Sequence, residues 1–149
     1  MPLYKLGRER MTGMKDYKPK ILCFKCNFGW GYLGDKNEIH AVAKNMVPVT
    51  CSGKVDATHI LNALKEGADG VLILGCSQGE CHFQDGNYQT GKKVLLLKKV
   101  LTSYGIEQER LRMIFSVDPD GHRIPTEIET MRNELSQLGP VTIRKSALA

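Results

Sequence analysis

An α/β domain built on a single small, doubly wound parallel sheet is the architecture this sequence predicts, and three observations predict it. The run GVLILGC at 70–76 is continuously apolar, the pattern of a central strand covered on both faces. Strand-like and helix-like segments alternate along the chain as β-α-β-α-β-α-β-α with short links, the order that winds helices onto both faces of a parallel sheet. The chain has 149 residues, 42% of them hydrophobic and 25% charged, which suits one domain with one core.

The elements follow in order. PKILCFK (19–25) reads as a strand opened by Pro19, and a glycine-rich segment, NFGWGYLGDKNE, comes after it. A helix is expected from about Asp35 to Lys44, where Ile39, Val42 and Ala43 share a face. MVPVTC (46–51) is short and β-branched, a second strand. Asp56 can cap a helix from Ala57 to Glu66 that buries Ile60, Leu61 and Leu64 and is closed by Gly67. After the apolar third strand, Asp85-Gly86-Asn87 signals a turn, and a long helix is expected from about Tyr88 to Tyr104. Its stripe is Val94, Leu97, Leu101 and Tyr104, widened by Leu95, Leu96 and Val100. RLRMIFSV (110–117) is the fourth strand. Pro125 suits the first turn of a last helix whose Ile128, Met131, Leu135 and Leu138 recur by threes and fours. The whole is Rossmann- or flavodoxin-like, with about four parallel strands. A basic tail (1–18) precedes the domain (19–140), and a short tail (141–149) follows it.

Composition narrows the function classes. The formal charge is +5, but six of the cations lie in the first twenty residues, and Arg144 and Lys145 lie in the last segment. The middle is nearly balanced and carries no aromatic-and-basic platform, so nucleic acid is not an expected partner. No apolar run approaches a membrane span, and the basic N-terminus lacks the apolar stretch of a secretory signal, so the expected location is the cytoplasm without membrane insertion. There, five cysteines suggest metal or redox chemistry rather than disulfides.

The cysteines fall in a pattern. Cys26 lies just past the first strand, Cys51 closes the second, Cys76 closes the third, and Cys81 sits in the loop after it. In a parallel sheet those ends share one edge, where open α/β sheets build their sites. The pattern predicts a shared site, because four thiolates are the ligand set of both zinc and iron–sulfur centres. Two readings stand at this level: an iron–sulfur electron carrier, or a structural four-cysteine zinc site in an interaction module. Cys23 and Cys26 form a CxxC, but that redox motif normally opens a helix. Here Cys23 lies inside a strand, on the opposite sheet face from Cys26 by alternation, and reads as a packed thiol, with an exchange of roles with Cys26 left open. Gly75 and Gly79, with Gly53 after Cys51, are expected to let the backbone approach a bulky sulfide. His82, directly after Cys81, is a neighbour or an alternative ligand. GNYQTGKK (86–93) nearly spells a phosphate-binding loop, but Lys93 stands where a hydroxyl residue is required and no strand directly precedes it, so a helix start with exposed lysines is expected. No catalytic residues stand out, and the isolated chain is expected to have no activity of its own.

VTCSGKVDATHILNALKEGADGVLILGC and GECHFQDGNYQTGKKVLLLKKVL closely resemble the delta-subunit family of the methyl-viologen-reducing hydrogenase, also described as hydrogenase iron–sulfur subunits. The resemblance covers about residues 19–140 and is carried by Cys51-Ser52-Gly53 and Gly75-Cys76…Gly79-Glu80-Cys81-His82, followed by Gly86-Asn87-Tyr88. It implies a small electron carrier holding a 2Fe–2S cluster between a hydrogenase or formate dehydrogenase-type module and a heterodisulfide reductase A-like flavoprotein, within an electron-bifurcating assembly. It also carries over Cys51, Cys76 and Cys81 as ligands. Family members show Cys-Asn-Trp-Cys after the first strand; this chain has Cys26-Asn27-Phe28-Gly29. Cys26 alone carries over from that element, and Cys23 is its alternative.

Overall fold

The computed structural model describes residues 16–26, 45–81, 83–116 and 123–142. Four strands form one sheet: β1 (Ile21–Cys26), β2 (Met46–Val49), β3 (Gly70–Gly75) and β4 (Leu111–Phe115). Among the described residues, three α-helices accompany them: α1 (Ala57–Lys65), α2 (Gly86–Ser103) and α3 (Arg123–Leu138). The strand order is β2-β1-β3-β4, and every neighbouring pair is parallel. The predicted doubly wound α/β sheet is therefore observed, with strand positions within a few residues of those read from sequence. The helix expected at 35–44 lies outside the described residues.

Each strand has the chemistry of its place. All six residues of β3 are buried, as its unbroken apolar run demands. The two outermost strands are β2 and β4. On β2, Val47 and Pro48 are exposed, and an edge is where proline's missing N–H is tolerated. The two faces of the sheet carry separate apolar clusters. On one, Ile124, Ile128, Met131 and Leu135 of α3 pack on Ile21, Cys23, Leu72 and Leu74. On the other, Ile60 and Leu64 of α1 and Val94, Leu97 and Leu101 of α2 pack on Phe24, Val71, Ile73 and Leu111.

Two readings change. The predicted stripe of α2 is too wide: Asn87, Thr90, Gly91, Val94, Leu97 and Leu101 are buried, whereas Leu95, Leu96, Val100 and Tyr104 are exposed. An outer-layer helix presents one arc to the sheet, and those four fall outside it. Strand alternation also fails at the end of β1. Cys23 and Cys26 belong to the same apolar cluster, because Cys26 is the last strand residue and its sulfur reaches Cys76. The near phosphate loop is the first turns of α2, and Gly91 faces the Phe115 ring.

The amino-end side of the sheet is fastened by a buried arginine. The Arg110 side chain is fully buried and donates to the Asp69 carbonyl (2.9 Å), the Gly139 carbonyl (2.7 Å) and the Glu107 carboxylate (2.6 Å). The buried Asp69 carboxylate in turn accepts from the Lys20 (2.9 Å) and Val141 (3.3 Å) amides. The approach to β1, the approach to β3 and the exit from α3 are thereby tied together. Arg110→Met leaves two carbonyls and a carboxylate without their donor, and is expected to lower the unfolding free energy by about 3 kcal/mol or more. Urea denaturation followed by circular dichroism checks this; a loss under about 1 kcal/mol would show the network to be marginal.

Candidate metal centre

The parallel sheet turns a one-dimensional spacing into a three-dimensional cluster. Cys26 is the last residue of β1, and Cys76 immediately follows β3 on the neighbouring strand. Cys51 lies just past β2, at the head of a 3-10 turn (Ser52–Lys54). Cys81 lies in the loop between β3 and α2 and bridges to Gln84. The winding of the chain reverses between β1 and β3, so this carboxyl-end crevice is the place where such sheets hold ligands.

The four sulfurs are arranged as two pairs. Cys26 Sγ and Cys76 Sγ are 3.6 Å apart and buried, while Cys51 Sγ and Cys81 Sγ are 3.7 Å apart with Cys81 half-buried. Two thiolates about 2.3 Å from one tetrahedral metal stand about 3.8 Å apart, so each pair has the spacing of one edge of a metal's coordination shell. Among the described residues, no three Cys, His, Asp or Glu side chains converge as one ion would require. Two such pairs are the donor set of a two-metal group with two thiolates on each metal.

Burial and backbone amides treat the thiols differently. Burial pushes Cys76 up to about 12, helped by the Cys26 thiol beside it and by the charges of Cys81 and Cys51. Cys51 is also raised, first by burial; the Gly53 N–H, which donates to its sulfur at 3.4 Å, works the other way. Burial acts to raise Cys81 too, but the N–H groups of Asn87, Phe83 and Gly86 and the Cys51 thiol overcome it, and Cys81 is lowered. Those amides include the first of α2, where free N–H groups and the helix dipole favour a thiolate. Cys23 stands apart, deep in the α3 cluster, and burial raises it to about 12.

The first turn of α2 positions both cysteine loops. Asn87 is wholly buried and donates from Nδ2 to the carbonyls of Cys76 and Ser77, each at 3.0 Å. Three residues on, the buried Thr90 hydroxyl donates to the Ser52 carbonyl at 2.6 Å. Between the loops there is room only for glycine at position 86. A Cβ there would lie 2.4 Å from Cys51 Sγ and 3.5 Å from Cys81 Sγ. Gly53 is its counterpart across the gap, where a Cβ would stand 2.9 Å from the Gly86 Cα.

Of the glycines expected to make room, Gly53 thus lines the gap. Gly75 instead faces the Met113 methyl and the Ser52 hydroxyl, and Gly79 occupies an open turn with φ of +83°, its vacant position meeting nothing within 4 Å. Sequence reasoning did not single out Gly86, Asn87 or Thr90 as site residues, although GNYQT held the signal: the glycine and the two buried polar residues precede the apolar part of the helix. His82, Trp30, Tyr32, His40 and His122 lie outside the described residues. Among the described residues, no helix is long and apolar enough to cross a membrane.

This arrangement can be set against known proteins. The vhc F420-non-reducing hydrogenase iron-sulfur subunit of Methanococcus voltae is 32% identical over 136 residues, 89% of this chain and 94% of its own length. The F420-non-reducing hydrogenase iron-sulfur subunit of Archaeoglobus profundus is 33% identical over 130 residues, 85% of this chain and 95% of its own. The A-type subunit of the ferredoxin:CoB-CoM heterodisulfide reductase of Methanosarcina mazei is 31% identical over 134 residues, 87% of this chain but only 17% of its own length. The family model described as methyl-viologen-reducing hydrogenase, delta subunit, matches residues 21–139, nearly the whole of the sheet and its helices. The chain therefore belongs to the delta-subunit family of the methyl-viologen-reducing hydrogenase.

Proposed function

We propose that this chain is an electron relay that holds a 2Fe–2S cluster on Cys26, Cys51, Cys76 and Cys81. The observation that carries this reading is the division of the thiols into two pairs, with sulfurs 3.6 and 3.7 Å apart, at the switch point of the sheet. A structural four-thiolate zinc site asks for all four sulfurs about 3.8 Å from one another, around one ion. The iron–sulfur naming of the relatives supports the same choice. The naming of the relatives supports a place for the relay between a hydrogenase-type module and a heterodisulfide reductase A-like partner. That the partner is a flavoprotein, that a formate dehydrogenase-type module can replace the hydrogenase, and that the whole is a bifurcating oxidoreductase complex are part of the proposal.

Such a cluster, when bound, supplies reversible one-electron storage. The chain's own contribution is position and electrostatics. Cys26 and Cys76 form the buried end of the site, and Cys51 and Cys81 the end nearer solvent. The amides of Gly53, Phe83, Gly86 and Asn87 place partial positive charge at the Cys51 and Cys81 sulfurs. All of these favour the more negative, reduced state and raise the potential.

Anaerobically purified protein is expected to contain iron and sulfide and to show the visible absorption and reduced-state electron paramagnetic resonance of a 2Fe–2S centre. Zinc without iron would sink the reading. Serine at any one of positions 26, 51, 76 and 81 should lose or disturb the cluster, whereas Cys23→Ser keeps it. A cluster that survives Cys26→Ser but not Cys23→Ser would reassign the first ligand.

Gly86→Ala is expected to cut cluster content severely while leaving the circular dichroism of the fold in place, because the added methyl overlaps Cys51 Sγ. Normal iron content in that variant would remove Gly86 from the cradle.

Loading also carries a pH signature. Each ligating thiol gives up its proton, and burial holds Cys76 and Cys51 in the protonated form at neutral pH. Reconstitution of cluster-free protein with iron and sulfide should therefore weaken as pH falls from about 8.5 to about 6.5. A flat pH profile of the absorbance gained would contradict thiolate ligation.

A further inference from the structure

We propose that the solvent face of α2 is the docking surface for the heterodisulfide reductase A-like flavoprotein, an inference that rests on the electron-relay reading above. Leu95 and Leu96 are each 66% exposed, more than any other large apolar residue among those described. Tyr88 is 39% exposed and Phe83, in the loop before the helix, 46%. At 3.6 residues per turn, Tyr88, Lys92, Leu95, Leu96 and Lys99 fall on the side of α2 away from Val94, Leu97 and Leu101, which face the sheet. A solitary exposed leucine is ordinary, but a row of large apolar groups flanked by cations has the make-up of an interface core with a polar rim.

The row begins at the cysteines. The Phe83 N–H points at the Cys81 sulfur, and Tyr88 follows two residues after the glycine that lies against Cys51 and Cys81. Cys81 is the half-buried thiol of the four. From Gly86 to Leu96 the helix rises about 15 Å, so a partner seated along the row ends over the Cys51–Cys81 corner, where an electron has the least protein to cross.

The relatives argue for the occupant. In the heterodisulfide reductase A-type proteins of Methanosarcina mazei and Methanosarcina acetivorans, a segment 31–32% identical to this chain makes up 17% of the protein. There the corresponding domain is covalently tethered to its neighbour, and the tether supplies a high effective concentration. Where the two are not tethered, the same neighbour has to be held by surface contacts. Lys92 and Lys99, both exposed, call for carboxylates around the matching apolar patch.

The test is purification of the native complex, under anaerobic conditions, through a tag on this chain. The wild type is expected to bring down a protein homologous to the heterodisulfide reductase A-type flavoproteins. Leu95→Glu combined with Leu96→Glu should lower its recovery more than about tenfold while the iron content and visible spectrum of the tagged chain stay unchanged. In hydrogen–deuterium exchange on the wild-type complex, the stretch 88–99 should be more protected than in the chain alone. Full recovery of the flavoprotein by the variant overturns the proposal. Protection of that stretch by a hydrogenase-type partner overturns it too, as does a wild-type dimer that the variant turns into monomer, which assigns the face to a second copy. A wild-type chain that lacks iron but still loses its partner through the variant would sink the relay reading and leave the docking surface standing.

Discussion

Asn87 is wholly buried, and both of its amide hydrogens are spent on the carbonyls of Cys76 and Ser77. Around that one side chain the rest of the site is arranged. It fixes the loop after β3 to the first turn of α2, and Thr90, on the same side of the helix, fixes the loop after β2 through Ser52. With both loops held to one rigid helix start, Gly86 lies between Cys51 and Cys81 at a separation that no side chain permits. Two of the three amides that lower Cys81, those of Gly86 and Asn87, are the same helix start seen electrically: they are free to face sulfur because the first N–H groups of a helix have no carbonyl four residues back. Helix packing, thiol spacing and thiol charge thus share one cause.

The two ends of the sheet divide their labour. At the amino-end side, Arg110 and Asp69 are buried with their polar atoms committed to the Glu107 carboxylate and to the backbone just before β1, just before β3 and just after α3. At the carboxyl end, polar and sulfur groups converge on a gap between loops. Binding sites need groups held short of complete satisfaction by their own chain, which weakens a fold locally. Stability concentrated at the far end allows that arrangement without loosening the sheet that aligns the cysteines.

Much of this was legible in the sequence, and the reasons are specific. GVLILG announces a central strand because both faces of β3 are covered, and Ile128, Met131 and Leu135 announce the buried side of α3 because helical spacing is rigid. The gathering of Cys26, Cys51, Cys76 and Cys81 at one edge follows from parallel topology alone. The pairing of those thiols did not follow, because it depends on how far each loop folds back over the sheet. Nor did the role of Gly86, whose constraint comes from a sulfur thirty-five positions earlier. Leu95 and Leu96 misled for the opposite reason: hydrophobicity announces burial but does not say against what, and one chain's core is not the only surface that can cover a leucine.

The order of the paired cysteines along the chain has a further consequence. Cys26 meets Cys76 and Cys51 meets Cys81, so the two pairs interleave in sequence. Any break between residues 51 and 76 parts both pairs at once, and no fragment on either side of it keeps a complete pair. A site built this way cannot be shortened or inherited piecemeal. It moves between proteins as a complete domain, and in the Methanosarcina relatives the matching segment is of whole-domain length, 134 residues inside a much longer chain.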